Sequence, residues 1–444
     1  MSANKKCVHV GVDVDVDLYP FLLRYKDGRI ERLLNCPFVA PCENPRANRG
    51  VATRDVVIDA GTGVSARLFL PSRAAMAARR RRLPLVVYIH GGSFCTESAF
   101  GRTYHRYATS LAGSAGALVV SVEYRLAPEH PIPTAYDDTW SALQWVASLA
   151  DPWLADYADP RRTFLAGDSA GGNIAYHTAV RAAARNNDGI HVEGVIIVQP
   201  YFWGPERLPS EAVWDGTTLL PATRVDNLWP FVTAGRAGND DARINPPDEE
   251  IASLARRRVL LAVAEKDTLR DRGVLLSARI RDCARTTGGE VTLVESEGED
   301  HGFHLYSPLR GTSRKLMDSI VNFINPPPPE LMTNSRGFFH VGAPAAATPG
   351  APQPLILGVP SRPYKDIFGY GMDMKQHCTV ASASAATVTA TSASSKTGRG
   401  NAYNKQAKYR LFNGPLMRPN KPYRQGASAA ALLPTGTQVI NNFF

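Results

Sequence analysis

A serine between two glycines is the first feature of this sequence that could do chemistry. The pentapeptide GDSAG, centred on Ser169, fits the pattern G-x-S-x-G and lies between a strand-like run (163–167) and a helix-like run (171–185). A sharp strand-to-helix turn exposes a serine hydroxyl at the carboxyl end of a sheet, where it can act as a nucleophile. The N-terminus of the following helix favours negative charge beside that hydroxyl. Such a pentapeptide also occurs in ordinary turns, so the interpretation needs partners elsewhere in the chain.

Paired glycines follow another strand-like run and could supply hydrogen-bond donors. The segment YIHGGSF ends the run 85–89 and contains Gly91 and Gly92. Because glycine has no side chain, its N–H group can point into a cavity, where such donors stabilise the oxyanion of an acyl-transfer intermediate. The sequence predicts that the amides of Gly91 and Gly92 form this oxyanion hole together with the amide of Ala170. A plain glycine turn is the structural alternative.

An aspartate and a histidine complete a candidate catalytic triad. Asp267 and His301 each follow a strand-like run, and the chain order Ser169, Asp267, His301 is that of the α/β-hydrolase arrangement. In such a triad the histidine accepts the serine proton, while the aspartate orients the imidazole and stabilises its cation. His304 is a competing base, but we expect it to pack at the start of the next helix. Glu299 and Asp300 are competing acids, but neither ends a strand.

Short apolar runs alternate with helix-like runs along the first 325 residues. The strand-like runs are rich in Val, Leu and Ile, and they are 64–70, 85–89, 117–123, 163–167, 192–198, 259–264 and 291–296. The helix-like runs are 135–150, 171–185, 269–285 and 313–324. This alternation predicts a parallel sheet with helical crossovers, in which the carboxyl ends of the strands share one edge. The region 203–250, rich in Pro, Trp and Gly, predicts irregular helices above the sheet.

These motifs resemble those of the hormone-sensitive-lipase family of α/β-hydrolases. HGGSF and GDSAGGN carry that resemblance, while PFLLRYKDGRIERL, SVEYRLAPEHPIPTAYDD, VQPYFWG and EDHGFHLY narrow it to the plant carboxylesterases over residues 8 to 325. The resemblance implies an eight-stranded, mostly parallel sheet flanked by helices, with a cap built from the N-terminal segment and residues 203–250. It implies no cofactor. Two positions depart from the family pattern: Gln199, where many members have histidine, and Glu97, where many have glycine.

Ester hydrolysis is the reaction that this constellation favours. Ser169 would attack the ester carbonyl and form an acyl-serine, and water activated by His301 would release the acid. The aromatic residues of the region 203–250 favour small-to-medium hydrophobic esters. Two alternatives stay open: a lyase related to 2-hydroxyisoflavanone dehydratase, which keeps a similar site, and a hormone-binding protein related to the gibberellin receptors, in which the triad histidine is replaced. The presence of His301 argues against a purely receptor role.

The charge of the chain is unevenly distributed. Residues 326–444 carry 12 of the 50 Lys and Arg residues and 3 of the 41 Asp and Glu residues, so the first 325 residues hold 38 of each sign. The net charge of +9 therefore belongs to the tail, and no nucleic-acid partner is expected. Residues 326–444 are rich in Ala, Ser and Pro, a composition that predicts a low-complexity, disordered basic tail after a hydrolase domain of residues 1–325.

The sequence also predicts where the protein works. No run approaches the roughly 18 apolar residues of a membrane span, and the N-terminus lacks an apolar signal segment. The six cysteines form no C-x-x-C pair, which is typical of reduced thiols and gives no metal site. We predict a cytoplasmic protein, with the nucleus as a second location, whose partner is a small-molecule ester. The sequence predicts no oligomeric state.

Overall fold

The structure is a computed structural model that describes residues 13–34, 36–77, 82–185, 189–213 and 218–327. The strands in these ranges are β1 (Val14–Leu18), β2 (Leu22–Tyr25), β3 (Ile30–Arg32), β4 (Val51–Asp59), β5 (Val64–Pro71), β6 (Leu83–Ile89), β7 (Leu118–Glu123), β8 (Ala158–Asp168), β9 (Gly194–Val198), β10 (Arg258–Ala264) and β11 (Glu290–Ser296). The helices are α1 (Ser72–Ala77), α2 (Arg102–Ala115), α3 (Thr134–Ala147), α4 (Pro152–Tyr157), α5 (Ala170–Ala184), α6 (Pro209–Val213), α7 (Ala222–Val232), α8 (Asp248–Ala252), α9 (Arg270–Thr287), α10 (Phe303–Tyr306) and α11 (Gly311–Ile324). The predicted tail, 326–444, lies outside the described residues except for its first two.

Eight of the strands form one sheet in the order β11-β10-β9-β8-β6-β7-β5-β4. The pairs from β11 to β7 are parallel, whereas β5 runs antiparallel to both β7 and β4. The central strands β6 and β9 are buried along their whole length, because helices cover both faces of the sheet. The predicted eight-stranded, mostly parallel sheet flanked by helices is confirmed.

Strand β4 and helix α2 are among the elements of this body that lie outside the predicted runs. After three buried residues, β4 alternates half-buried and exposed residues, because it is an edge strand. Helix α2 buries small and hydroxyl-bearing residues, among them Ala108, Ala112 and Thr109. Neither element contains the continuous Val, Leu and Ile run that marks a covered parallel strand, so a search for such runs does not detect them.

A cap covers one end of the sheet. Strands β1 to β3 form a separate antiparallel sheet, and the chain between β9 and β10 carries α6, α7 and α8. The two parts meet at α7, where the guanidinium of Arg24 lies 5.4 Å from the centroid of the Phe231 ring and Arg224 pairs with Asp17 at 3.8 Å. The predicted cap from the N-terminal segment and residues 203–250 is confirmed. No helix of the described residues is long and apolar enough to cross a membrane.

The loops after β6, β8, β10 and β11 carry the residues on which the chemistry depends. All four strands are parallel neighbours or near neighbours in the sheet, so their carboxyl ends open onto the same edge. The fold thereby gathers segments that are far apart in the chain.

Candidate active site

The turn at Ser169 joins β8 to α5 in a strained conformation. Ser169 has φ +53°, which non-glycine residues rarely adopt, and its side chain is nearly buried, with 7% of the residue exposed. A Cβ atom at Gly167 would lie 2.3 Å from the carbonyl oxygen of Gly171, and one at Gly171 would lie 2.1 Å from that of Ile89. The Ser169 N–H donates to the Val198 carbonyl oxygen at 2.9 Å, which fixes the turn. Only glycine fits at both flanking positions, as a nucleophile elbow requires.

The three residues of the candidate triad form one hydrogen-bonded chain. His301 Nε2 lies 3.0 Å from Ser169 Oγ, and His301 Nδ1 lies 2.8 Å from Asp267 Oδ2. Asp267 is fully buried, and its other oxygen accepts the N–H of Leu269 at 2.9 Å. The carboxylate is therefore fixed at both oxygens, and it holds the imidazole with Nε2 facing the serine.

The surroundings of His301 favour its cationic form. Burial lowers the pKa of the imidazole, but the Asp267 carboxylate and its hydrogen bond raise it, with smaller contributions from Asp300 and Asp168. The net effect is a pKa of His301 above its ordinary value. An imidazole in this site can therefore take a proton from a neighbouring hydroxyl and keep it.

The loop after β6 is tightly turned around Gly92. Gly92 has φ +100°, and a Cβ atom there would lie 2.3 Å from the Thr96 carbonyl oxygen. The N–H groups of Cys95 and Thr96 both donate to the Gly92 carbonyl oxygen, which closes the turn. Among the described residues, no acceptor is assigned to the N–H groups of Gly92 and Ala170. Both predicted donors are thus open to a ligand.

Gly91 differs from the prediction. Its N–H donates to Tyr104 Oη at 2.8 Å, and that hydroxyl donates in turn to Asp168 Oδ2 at 2.8 Å. The Gly91 amide is therefore committed to a buried network, so the structure does not support it as an oxyanion donor. The next amide along, that of Ser93, has no acceptor assigned within the described part of the chain, and Ser93 has φ +56°.

Asp168 ties this loop to the elbow. Its two oxygens accept hydrogen bonds from Tyr88 Oη at 2.7 Å and from Tyr104 Oη. Burial raises the pKa of the Asp168 carboxyl, and the two tyrosine hydroxyls partly oppose that effect. The residue directly before the serine is therefore a brace for the strand and loop that carry Gly91.

Gln199 is a residue of the site that the triad pattern does not reveal. Its Oε1 accepts the N–H of Gly302 at 2.9 Å, and its Nε2 donates to the carbonyl oxygen of Asp300 at 3.2 Å. The amide thus brackets His301 on both sides. Its position after β9, directly before a proline and at a departure from the family pattern, is the one sequence signal for it.

His304, the competing base, lies in α10 and does not contact the serine. Its ring packs edge-on against Tyr107 with centroids 5.3 Å apart, and neither ring nitrogen has a hydrogen-bond partner among the described residues. Burial lowers the pKa of His304 to about 3. His304 is therefore a neutral core residue, as expected.

The described residues contain no group of three or more His, Cys, Asp or Glu side chains that could hold a metal ion.

The fold and this arrangement define a class, and comparison with known proteins agrees with it. Residues 86–305 match the family model described as the alpha/beta hydrolase fold, and the chain belongs to that family. It is 39% identical over 327 residues to 2-hydroxyisoflavanone dehydratase of Glycyrrhiza echinata, covering 70% of this chain and 96% of the relative. It is 38% identical over 330 residues to probable carboxylesterase 13 of Arabidopsis thaliana, covering 70% and 98%.

A solved structure is similar as well. The thermostable carboxylesterase EstE1, cloned from a metagenomic library, superposes with a TM-score of 0.53 at 29% identity, over 66% of this chain and 90% of that one. The resemblance to the plant carboxylesterases of the hormone-sensitive-lipase group is thus confirmed. By class the chain is a carboxylic-ester hydrolase.

Proposed function

We propose that this protein is a serine carboxylesterase that cleaves small-to-medium hydrophobic esters through an acyl-serine intermediate. One observation carries the proposal: His301 bridges Ser169 Oγ and Asp267 Oδ2 at 3.0 and 2.8 Å. A serine, a base and an orienting carboxylate in one chain are what nucleophilic acyl transfer requires.

In the first half of the reaction, Ser169 Oγ attacks the ester carbonyl carbon while His301 Nε2 takes the hydroxyl proton. The oxyanion of the tetrahedral intermediate is held by the amides of Gly92, Ser93 and Ala170. His301 then gives its proton to the departing alkoxide, and the carbon–oxygen bond to the alcohol breaks. Asp267 stabilises the imidazolium between the two proton transfers.

The second half reverses these roles with water in place of the alcohol. His301 takes a proton from water, and the hydroxide attacks the acyl carbon of the acyl-serine. The same amides hold the second oxyanion. His301 returns its proton to Ser169 Oγ as that bond breaks, and the carboxylic acid leaves.

The substrate preference follows from the aromatic residues next to the oxyanion loop. Phe94, two residues after Gly92, packs edge-on against Tyr201 and Trp229 with ring centroids 5.6 and 5.7 Å away. All three rings are buried, and they make the core beside the oxyanion loop apolar. Such surroundings favour hydrophobic esters over charged ones.

The test is turnover of p-nitrophenyl acetate and p-nitrophenyl butyrate by the purified chain and its Ser169→Ala variant. We expect turnover in the parent and a loss of at least 10³-fold in the variant, because the nucleophile is gone. Ser319→Ala on α11 is the matched control, and circular dichroism shows whether each variant is folded. Turnover by the Ser169→Ala variant, or a folded parent without turnover, would contradict the proposal.

A second candidate reaction is the elimination of water from a phenolic substrate. The observation that favours it is the 39% identity to 2-hydroxyisoflavanone dehydratase, over 96% of that relative. Incubation of the parent with a 2-hydroxyisoflavanone, followed by chromatography of the isoflavone product, separates this reaction from ester hydrolysis. A hormone-receptor role is disfavoured, because His301 is present and hydrogen-bonded to the serine.

We also propose the division of the chain and its location. A hydrolase body of residues 1–325 and a basic tail of 326–444 follow from the composition, and the described structure ends shortly after α11. Cys36, Cys42 and Cys95 carry free thiols, which favours a reducing compartment such as the cytoplasm. Imaging of a fluorescent fusion of the full chain tests the location.

A further inference from the structure

The cap segment Thr218–Leu220 is held by two loops of the body. Thr218 Oγ1 donates to Asp300 Oδ1 at 2.6 Å, and the Leu219 N–H donates to Asp300 Oδ2 at 2.9 Å. Thr268 Oγ1 donates to the carbonyl oxygen of Leu220 at 2.6 Å. Each residue of this short segment thus has its own hydrogen bond to the body. We name Thr218–Leu220 the cap clamp.

The two residues that hold the cap clamp are neighbours of the triad acid and base. Thr268 follows Asp267 directly, and Asp300 precedes His301 directly. The Asp300 carboxylate also accepts the backbone N–H of His301 at 2.6 Å, through the same oxygen that receives the Thr218 hydroxyl. One carboxylate therefore joins the cap to the backbone of the base.

The sheet topology explains why the base needs such support. β11 is the edge strand and pairs with β10 alone, so the loop that follows β11 has a sheet neighbour on one side only. Gln199 supports that loop from the sheet, through the backbone of Asp300 and Gly302. The cap clamp supports it from the opposite direction, through the Asp300 side chain.

We propose that the cap clamp is a positioning element for the reaction, and that Asp300 is the positioning residue through which it acts on His301. This inference rests on the proposed function, because it assigns His301 the role of base. When the cap clamp makes its hydrogen bonds, the loops that carry Asp267 and His301 are both bound to this one segment, and the imidazole faces Ser169. When the clamp is displaced, the imidazole loses alignment although the substrate surfaces are unchanged.

The consequence is a specific kinetic pattern. Loss of alignment at the base slows proton transfer in the transition state but leaves ground-state binding intact. A weakened clamp therefore lowers kcat and leaves KM nearly unchanged. A residue that only shaped the cap would change KM or stability instead.

The experiment is a double-mutant cycle of Thr218→Val and Asp300→Ala, measured as kcat and KM with p-nitrophenyl butyrate. We expect Thr218→Val to lower kcat by about tenfold, the size of one hydrogen bond to a charged group, with KM changed less than twofold. In the Asp300→Ala background, we expect Thr218→Val to change kcat less than twofold. Thr218→Ser, which keeps the hydroxyl, restores kcat.

Thr223→Val is the matched control, since Thr223 is an exposed threonine on cap helix α7 without a role in the clamp. If Asp300→Ala does not fold, Asp300→Asn replaces it in the cycle, because it keeps the shape but loses an acceptor. Additive effects of the two substitutions on kcat, or an effect on KM alone, would overturn the inference about the cap clamp. The proposed function would still hold in that case, provided that the parent shows Ser169-dependent turnover. A parent without Ser169-dependent turnover would overturn both.

Discussion

At the scale of single residues, the protonation state of His301 governs the proposed reaction. The imidazole must be neutral to accept the serine proton, so activity falls as the pH drops through its pKa. That pKa is raised, since the attraction of Asp267 outweighs the effect of burial. The acid limb of the pH profile of kcat/KM therefore lies above the ordinary histidine value of about 6.5.

Asp267→Asn tests this balance. We expect the acid limb to move to lower pH, because the variant removes the carboxylate that stabilises the imidazolium. We also expect kcat to fall by roughly 10³- to 10⁴-fold, since the amide no longer holds the productive tautomer. Asp318→Asn on the exposed side of α11 is the control. An acid limb that stays in place at unchanged kcat would show that Asp267 is not the partner of His301.

His304 gives a second prediction, for stability rather than rate. Its pKa is about 3 in the folded chain and about 6.5 when unfolded, so the neutral form is favoured by folding. Its stabilising contribution is present above pH 6.5 and is lost as the pH falls from there toward 3. His304→Phe should therefore flatten the fall of the unfolding midpoint between pH 7 and 5, whereas the exposed control His191→Phe should not. Parallel curves for parent and His304→Phe would contradict this.

Site residues that belong to contiguous sequence motifs could be predicted from the sequence, whereas residues whose role depends on three-dimensional contacts could not. Ser169, Asp267 and His301 each follow a recognisable apolar run, and the structure brings all three together. Gly91 was expected to be an oxyanion donor, whereas in the structure its N–H donates to the hydroxyl of Tyr104, 13 residues away. No local sequence pattern predicts that hydrogen bond or the contact of Asp300 with the cap.

At the scale of elements, the elbow depends on the contact between α5 and β6. A Cβ atom at Gly171 would lie 2.1 Å from the Ile89 carbonyl oxygen and 2.5 Å from that of His90, and both are backbone atoms that cannot rotate away. Gly171→Ala should therefore destabilise the fold by roughly 1–3 kcal/mol or more and abolish turnover. Unfolding in urea measures the loss.

Gly113→Ala is the matched control for that prediction. Gly113 is exposed inside α2, and its added Cβ would meet only Val51 Cγ2, at 3.7 Å. We expect a gain of about 0.5–1 kcal/mol, since alanine favours the helix over glycine. Equal effects at the two positions would show that the backbone contact at Gly171 does not determine the outcome.

The elements that the sequence predicts are those with a continuous apolar run. Seven of the eight strands of the sheet, the edge strand β11 among them, appeared as such runs, and the eight-stranded sheet that the resemblance implied is confirmed. β4 and α2 were missed, because neither contains a continuous run of Val, Leu and Ile. The edge strand β11 has such a run although it is only partly buried, so the run and not the position in the sheet decides which strand the sequence predicts.

At the scale of the whole molecule, we predict that the hydrolase body keeps its stability and its activity without the tail. The described structure ends after α11, whose last residues pack into the core at Phe323 and Ile324. A chain that stops at residue 327 should keep its thermal midpoint and its kcat/KM within about twofold of the full chain. Thermal unfolding and p-nitrophenyl butyrate turnover check this, and a large loss of either would show that the body includes part of the tail.

Among the strands of the described residues, β11 is a sheet edge and comes last in chain order. His301 is therefore synthesised 132 residues after Ser169. During translation, the elbow leaves the ribosome long before the loop that carries its proton acceptor. In the proposed reaction, a nascent chain therefore holds an inert serine until β11 docks and brings His301 to it.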